Sequence, residues 1–472
     1  MKMNRGMKII LLGLLLQFMG AGAMAAQPNI LFILTDDQGW ADFSETVDPN
    51  YPEAHCAYLE TPNMNRFAHE GIRFTDAYSP APNCTPTRRS IQYGMTPARQ
   101  RGTEFIGEFD GVGHLSIAQY IKQANSAYRC ALFGKWGEVM DGSWAQQNTK
   151  INPTALGYDE SDGPTTGNHT GTYYHQSKGK EHFARNFRCE ADENPKLTFS
   201  VTRRAIDFMA RQADEENPFY LQVNYYAIHT AHQARQETMD TYAKKADPDR
   251  QLLPGVGPML EDLDTAIGQL LQALDDLGLA DNTYVILSSD NGGEQAYASL
   301  PPGSENLPGR NAPLRSTKAY LYEGGIRVPL MVRGPGLQKN VVCREPVALY
   351  DLLPTFHELA GGKDVLSAEI DGASLGPVLA DPESGQVKRA SKALFFHRPR
   401  FKKQSHSAIR MGDYKLVLSW TGPWEVGKQE LFNLAEDIGE TKNLAQKMPE
   451  KTKEMTDTLI SYLRSIDAEV AE

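Results

Sequence analysis

Four short apolar runs, each ending abruptly in polar side chains able to do chemistry, constrain this chain more than any other feature. Asn29–Thr35 runs into Asp36-Asp37, and Ala131–Phe133 into Gly134-Lys135-Trp136. Phe219–Val223 leads within a few residues to His229, and Thr283–Ser288 runs into Asp290-Asn291-Gly292-Gly293. None of the runs has the strict apolar–polar alternation of a half-buried strand, so each reads as a strand buried on both faces, as in a parallel sheet. In open α/β sheets the loops beyond the carboxyl ends of the strands converge on a crevice, and ligands bind there. The four runs therefore predict one shared site. Between them, Met259, Leu260, Leu263, Ile267, Leu270, Leu271, Leu274 and Leu277 form one apolar helical stripe closed by Gly278. Strands alternating with helices imply an α/β fold, a mostly parallel central sheet with helices on both faces.

With 472 residues there is enough chain for two structural units, and 40 glycines with 28 prolines favour many tight loops over long helices. Residues 1–25 read as a signal peptide: Lys2, Arg5 and Lys8 precede an apolar run, and Ala23 and Ala25 make a small-residue cleavage pattern. This predicts a secreted or periplasmic protein with no membrane attachment after cleavage. Residues 26–375 carry the α/β pattern. Residues 376–472 read as a small α+β subdomain: strand-like pieces at 393–397, 407–411 and 414–419 make an antiparallel sheet, and Met455, Leu459, Tyr462, Leu463 and Ile466 line a final helix. A net charge of −11 argues against nucleic acid or an anionic membrane as partner. The five cysteines, Cys56, Cys84, Cys130, Cys189 and Cys343, leave at least one without an internal partner; any four could form two disulfides in three connectivities, or none, and the set contains no C-x-x-C zinc spacing.

Asp36, Asp37, Asp290 and Asn291 lie at the ends of two strands roughly 250 residues apart in sequence. Three carboxylates brought together repel unless a cation sits among them, and all-oxygen ligands select a hard ion such as Ca²⁺ or Mg²⁺. Taken singly, Asp36-Asp37 also suits a helix N-cap and Asp290-Asn291-Gly292 a simple turn. Cys84-Thr85-Pro86-Thr87-Arg88 likewise reads alone as a loop cysteine with a proline-set turn.

In combination these pieces resemble the type I sulfatases, the formylglycine-dependent branch of the alkaline-phosphatase-like fold. The resemblance runs from Pro28 to the C-terminal helix. It rests on Pro28–Asp37, the C-x-P-x-R element, Gly134-Lys135-Trp136, the His229 segment, Ser289–Gly293, Leu314–Lys318, Glu323–Pro329, Asp413–Leu416 and Glu430–Asn433. The resemblance implies that a maturation enzyme oxidises Cys84 to formylglycine. It further implies that Asp36, Asp37, Asp290 and Asn291 hold Ca²⁺, with Mg²⁺ as the alternative, against the residue derived from Cys84. Arg88 and Lys135 would fix that residue, Lys318 would bind sulfate, and His229 would protonate the departing sugar oxygen. His232 is a second histidine of the same segment. Three positions depart from the family: the histidine commonly found two places after the Gly-Lys-Trp lysine is Gly137 here, Tyr93 stands where threonine is usual, and Ala231 where proline is common.

Substrate contacts are expected from the polar, aromatic loop 163–175, with Asn168 and His169 as the sugar-facing residues, from Arg101 after the nucleophile segment, and from His397 near Arg398-Pro-Arg400. The expected reaction is hydrolysis of a sulfate ester on a poly- or oligosaccharide. The alternatives are a phosphonate or phosphate ester hydrolase of the same superfamily, or a catalytically decayed glycan-binding relative. Self-association into a homo-oligomer is compatible with all three.

Overall fold

The computed structural model describes residues 27–105, 107–109, 111–137, 152–163, 190–230, 232–245, 255–294, 310–401 and 404–471. The signal-peptide segment, Asn168, His169 and Cys189 lie outside these residues.

The core is an eight-stranded sheet built from β1 (Asn29–Thr35), β2 (Ile72–Phe74), β3 (Arg129–Gly134), β4 (Glu160–Ser161), β5 (Phe219–Asn224), β6 (Thr283–Ser289), β7 (Leu330–Arg333) and β8 (Val341–Cys343). Their spatial order is β8-β2-β7-β6-β1-β5-β3-β4. β1 is central and pairs in parallel with both β5 and β6, while β7 runs antiparallel to its neighbours β2 and β6. The sheet is thus mixed but mostly parallel, as the unalternating apolar runs require. Because successive side chains point to opposite faces, β1 is apolar on both. Leu31 and Ile33 pack on one side with α1 (Pro62–His69), α4 (Thr198–Asp214) and α5 (Val256–Asp276). Ile30, Phe32 and Leu34 pack on the other with α2 (Cys84–Tyr93), α3 (Ile117–Ala124) and α6 (Leu352–Leu359). The predicted stripe of α5 is buried along its length, and Gly278 follows it with φ +67°, a left-handed turn that glycine takes without strain.

Near the C-terminus β9 (Leu394–Arg398), β10 (His406–Met411), β11 (Tyr414–Gly422) and β12 (Glu425–Asn433) form an antiparallel meander. One face, with Ile409, Leu416, Leu418 and Leu431, receives Met455, Leu459 and Leu463 of α7 (Pro449–Ser465). The other face, with Leu394, Phe396, Ala408, Val417 and Phe432, packs on Tyr78, Leu321, Tyr322 and Ile326 of the larger unit.

Charges are buried where that second face meets the larger unit. Lys415 Nζ lies 2.8 Å from Glu323 Oε1 and 2.9 Å from Glu440 Oε1, all three enclosed, and Arg327 and Tyr78 hold the other oxygen of Glu323 at 2.6 and 2.7 Å. No helix among the described residues is long and apolar enough to cross a membrane.

Removing one partner of a buried ion cluster strands the others, so Lys415→Ala is expected to cost about 3–5 kcal/mol in urea unfolding. Burial, together with the neighbouring Glu323, pushes the Glu440 carboxyl from 4.5 up to about 7 despite Lys415. Across that window the folded chain keeps a proton that the unfolded chain has released, so this group's contribution falls as pH rises. Glu440→Gln should therefore flatten the decline in stability between those pH values.

Candidate active site

The ends of β1, β5 and β6 do not splay apart when the strands stop. Asp36 N donates to Ala227 O at 2.9 Å, Ile228 N donates to Asp36 O at 2.7 Å, and Asp290 N donates to Thr35 O at 3.1 Å. This continued pairing carries Asp36, Asp37, His229, Asp290 and Asn291 to one place. Asp37 sits at φ +61°, a left-handed conformation that Asp tolerates better than most residues. It is held on every side: its N–H donates to Asp290 Oδ1 (3.2 Å), Asn291 Nδ2 donates to its Oδ1 (2.7 Å), Lys318 Nζ donates to its Oδ2 (2.7 Å), and Arg310 donates to its carbonyl. Gly292 can only be glycine, because a Cβ there would stand 1.9 Å from Gly324 O.

Cys84 opens α2, so its side chain and that of Arg88, one turn on, share a face. Arg88 donates through Nε (2.9 Å) and Nη2 (2.6 Å) to Asp290 Oδ2, and through Nη1 to Lys135 O (3.1 Å). Lys135 Nζ lies 2.6 Å from Asp36 Oδ2. Each carboxylate therefore has its own cation: Lys135 for Asp36, Lys318 for Asp37, and Arg88 for Asp290. Donor atoms of Asp36, Cys84 and Asp290 lie within 4.8 Å of one another, and those of Asp37, His229 and Glu294 form a second such group. Cys84 is a buried thiol outside any disulfide.

The charges set one another. Burial alone would raise Asp36 and Asp37, but Lys135 acting on Asp36, Lys318 on Asp37, and His229 on both hold them below the usual carboxylate range. Asp290 moves the other way, up to about 7, because burial and Asp36 outweigh Arg88. His229 is pushed down to about 4 by burial and by Lys318. Two buried oxygens, Asp36 Oδ1 and Asn291 Oδ1, have no hydrogen-bond partner among the described residues. Unpaired oxygens beside carboxylates fit a hard cation.

The residues singled out from sequence divide in two. Asp36, Asp37, Cys84, Arg88, Lys135, His229, Asp290, Asn291 and Lys318 come together. His232 lies close behind, buried, with Gly255 packed against its ring. Arg101 and His397 have other partners. Arg101 pairs with Glu108 (2.6 Å) and Asp467 (3.0 Å). His397 is enclosed, with Nδ1 2.6 Å from Ser407 Oγ and Nε2 2.7 Å from Glu469 O. Both link the C-terminal residues to the rest of the chain, and neither is joined to the carboxylate cluster by these contacts.

Glu294, Arg310 and Asn311 escaped the sequence reading. Asn311 clasps Gly293 through both ends of its amide, accepting from Gly293 N at 2.8 Å and donating to Gly293 O at 3.0 Å. Glu294 had a local signal, since it directly follows Asp290-Asn291-Gly292-Gly293. Arg310 and Asn311 had none.

Gly137 has a steric side as well as a chemical one. It has φ +73°, and a Cβ there would stand 2.8 Å from Arg88 Cδ. Arg88 fills the space a side chain would need. The loop is held instead at the Lys135 carbonyl, which accepts from Arg88 and from Asn224 Nδ2 at 2.8 Å. Gly137→Ala is accordingly expected to cost about 1–2 kcal/mol in thermal or urea unfolding. Gly137→His should cost at least as much.

Comparisons with known proteins bear on the lineage of the chain. The model of the sulfatase family matches residues 28–362, and that of the N-sulphoglucosamine sulphohydrolase C-terminal region matches residues 316–469. N-acetylgalactosamine-6-sulfatase of Mus musculus is 29% identical over 442 residues, covering 87% of this chain and 77% of that protein. Arylsulfatase A of Homo sapiens is 30% identical over 432 residues, covering 85% and 77%. The crystal structure of Ps i-CgsB in complex with k-i-k-neocarrahexaose superimposes with a TM-score of 0.73 at 25% identity, covering 93% of each chain. A family model spanning well over half the sequence settles the lineage: the chain belongs to the type I sulfatase family.

Proposed function

We propose that this chain is an exported sulfuric ester hydrolase that releases inorganic sulfate from a sulfated carbohydrate. The observation that carries this reading is the clustering of the Asp36, Cys84 and Asp290 donor atoms within 4.8 Å, with one cation paired to each carboxylate. An N-acetylgalactosamine-6-sulfatase among the relatives, and a saccharide complex among the similar structures, support a carbohydrate substrate.

Oxidation of the Cys84 thiol by a maturation enzyme to an aldehyde, hydrated in water, would supply one hydroxyl to attack sulfur and a second to release sulfate. A divalent cation, Ca²⁺ or else Mg²⁺, held by Asp36, Asp37, Asp290 and Asn291 would supply positive charge for the nucleophile and the sulfate oxygens. The chain's own groups do the rest. Asp37 and Glu294 keep the Lys318 ammonium charged in spite of burial, and Asp36 does the same for Lys135. Both therefore present fixed positive charge to an anionic ester without reorganising. Arg88, locked to Asp290 and to the Lys135 carbonyl, orients the first turn of α2 and the residue that opens it. His229 Nδ1 lies 2.6 Å from Thr230 O and so carries a hydrogen, which leaves Nε2, 3.7 Å from Asp37 Oδ2, facing the cluster. In the neutral ring that burial and Lys318 favour, Nε2 carries no proton; it can give one to the departing sugar oxygen only from the imidazolium, with both ring nitrogens protonated.

The test is sulfate release from a panel of sulfated saccharides by chain matured in cells that convert the cysteine. Cys84→Ser, in a host that leaves serine unconverted, should lose on the order of 10⁴-fold or more in turnover while remaining folded. Faster hydrolysis of an aryl phosphonate than of the matched aryl sulfate would overturn the assignment. Ca²⁺ at about 100 times its Kd should add about 2.7 kcal/mol of stability, and Asp36→Asn should remove most of that gain in calorimetry.

A further inference from the structure

One enclosed lysine has no part in the site described so far. Lys196 lies in the short turn Pro195–Leu197 ahead of α4, with its side chain fully buried. Lys196 (φ +52°) and Leu197 (φ +58°) both adopt the left-handed backbone that residues with a Cβ avoid. Gln233 pins the turn, its Oε1 accepting from Lys196 N at 2.9 Å. The amine donates to Thr230 O at 3.2 Å, and that same carbonyl accepts from His229 Nδ1 at 2.6 Å. Thr230 is tied on its other side as well, Oγ1 donating to Glu294 Oε2 at 3.2 Å.

Among the described residues no carboxylate forms an ion pair with Lys196. Burial pushes its ammonium down to about 7, with Asp36, Asp37 and Glu294 acting only through space. An enclosed amine without a carboxylate in contact is a poor way to stabilise a fold, since desolvation opposes it and the distant carboxylates offset only part of the cost. A strained turn that drives such an amine onto one particular carbonyl calls for another explanation, and the carbonyl it reaches is the one that orients the histidine.

We propose that Lys196 is a positioning residue for His229: by holding the Thr230 carbonyl it keeps Nδ1–H committed and Nε2 turned toward the departing oxygen. This rests on the reading of His229 as proton donor. In the step served, the hydroxyl oxygen of the attacking nucleophile would bond to sulfur as the sulfur–oxygen ester bond breaks, its electron pair going to the leaving oxygen, which takes the proton from Nε2 of the imidazolium. The imidazole is left neutral, with Nδ1–H still on Thr230 O. Lys196 gains and loses no bond.

The experiment measures kcat of the matured, Ca²⁺-loaded full chain on phenyl sulfate and on 4-nitrophenyl sulfate. Proton donation matters for the poor leaving group and little for the good one. Lys196→Met should lower turnover of phenyl sulfate by about tenfold or more and that of 4-nitrophenyl sulfate several times less, with thermal stability kept or raised. Lys196→Gln, which keeps an N–H donor, should recover much of the loss. His229→Gln should show the same selectivity, more strongly. If His229→Gln is selective and Lys196→Met depresses both esters alike, or neither, the inference falls and the function stands. If His229→Gln is not selective, the proton-donor reading falls and takes the inference with it. Failure of both Lys196 variants to fold would mark the lysine as core, and would also overturn the inference.

Discussion

Everything at the centre of this molecule follows from mutual repulsion among Asp36, Asp37 and Asp290, which the fold forces together at the tips of adjacent parallel strands. Such a cluster survives in a dry interior only if each charge is answered. Three cations from three separate stretches answer it: Arg88 from a helix, Lys135 from a strand end, and Lys318 from a loop. The electrostatic requirement thereby fixes where α2, the β3 loop and the segment around Lys318 must sit. Those are the elements that surround Cys84. Neutrality of the buried carboxylates and assembly of the reactive centre are one constraint.

The parts of the fold legible in the sequence are those written in local pattern. β1, β3, β5 and β6 could be read because strands covered on both faces carry unbroken apolar runs, and α5 because its stripe repeats with helical period. β7 was not legible as an antiparallel strand. Its direction is decided by where the chain enters the sheet, which no local spacing records. β2, β4 and β8 are two or three residues long and hold their places through neighbours.

The same distinction governs the site. Residues standing at strand tips or inside compact motifs are the ones the fold brings together, whereas Arg310 and Asn311 act through contacts made by loops and left no sequence signal. His397 and Arg101 looked available because they sit in polar stretches. His397 is enclosed because it lies on a strand covered on both faces, all five of whose residues are buried, and Arg101 is taken up by Asp467 from the far end of the chain. Lys196 was invisible for a related reason: a lysine in a polar segment reads as surface until a left-handed turn and Gln233 draw it inside. Gly137 was noticed as a missing imidazole, and its left-handed backbone, with Cδ of Arg88 lying against it, gives the position a steric reason to be glycine.

The clasp between the Asp290–Gly293 loop and the segment carrying Lys318 has a thermodynamic corollary. Lys318 N donates to Gly293 O at 3.2 Å, Asn311 bonds Gly293 at both ends, and Lys318 Nζ reaches Asp37. Groups suited to a metal ion and the ammonium suited to an ester's anionic head are thus fastened into one rigid piece. Whatever tightens one half tightens the other, and by reciprocity the free energy of that coupling is the same from either end. Occupancy by ion and by ester in such a centre would rise and fall as a pair.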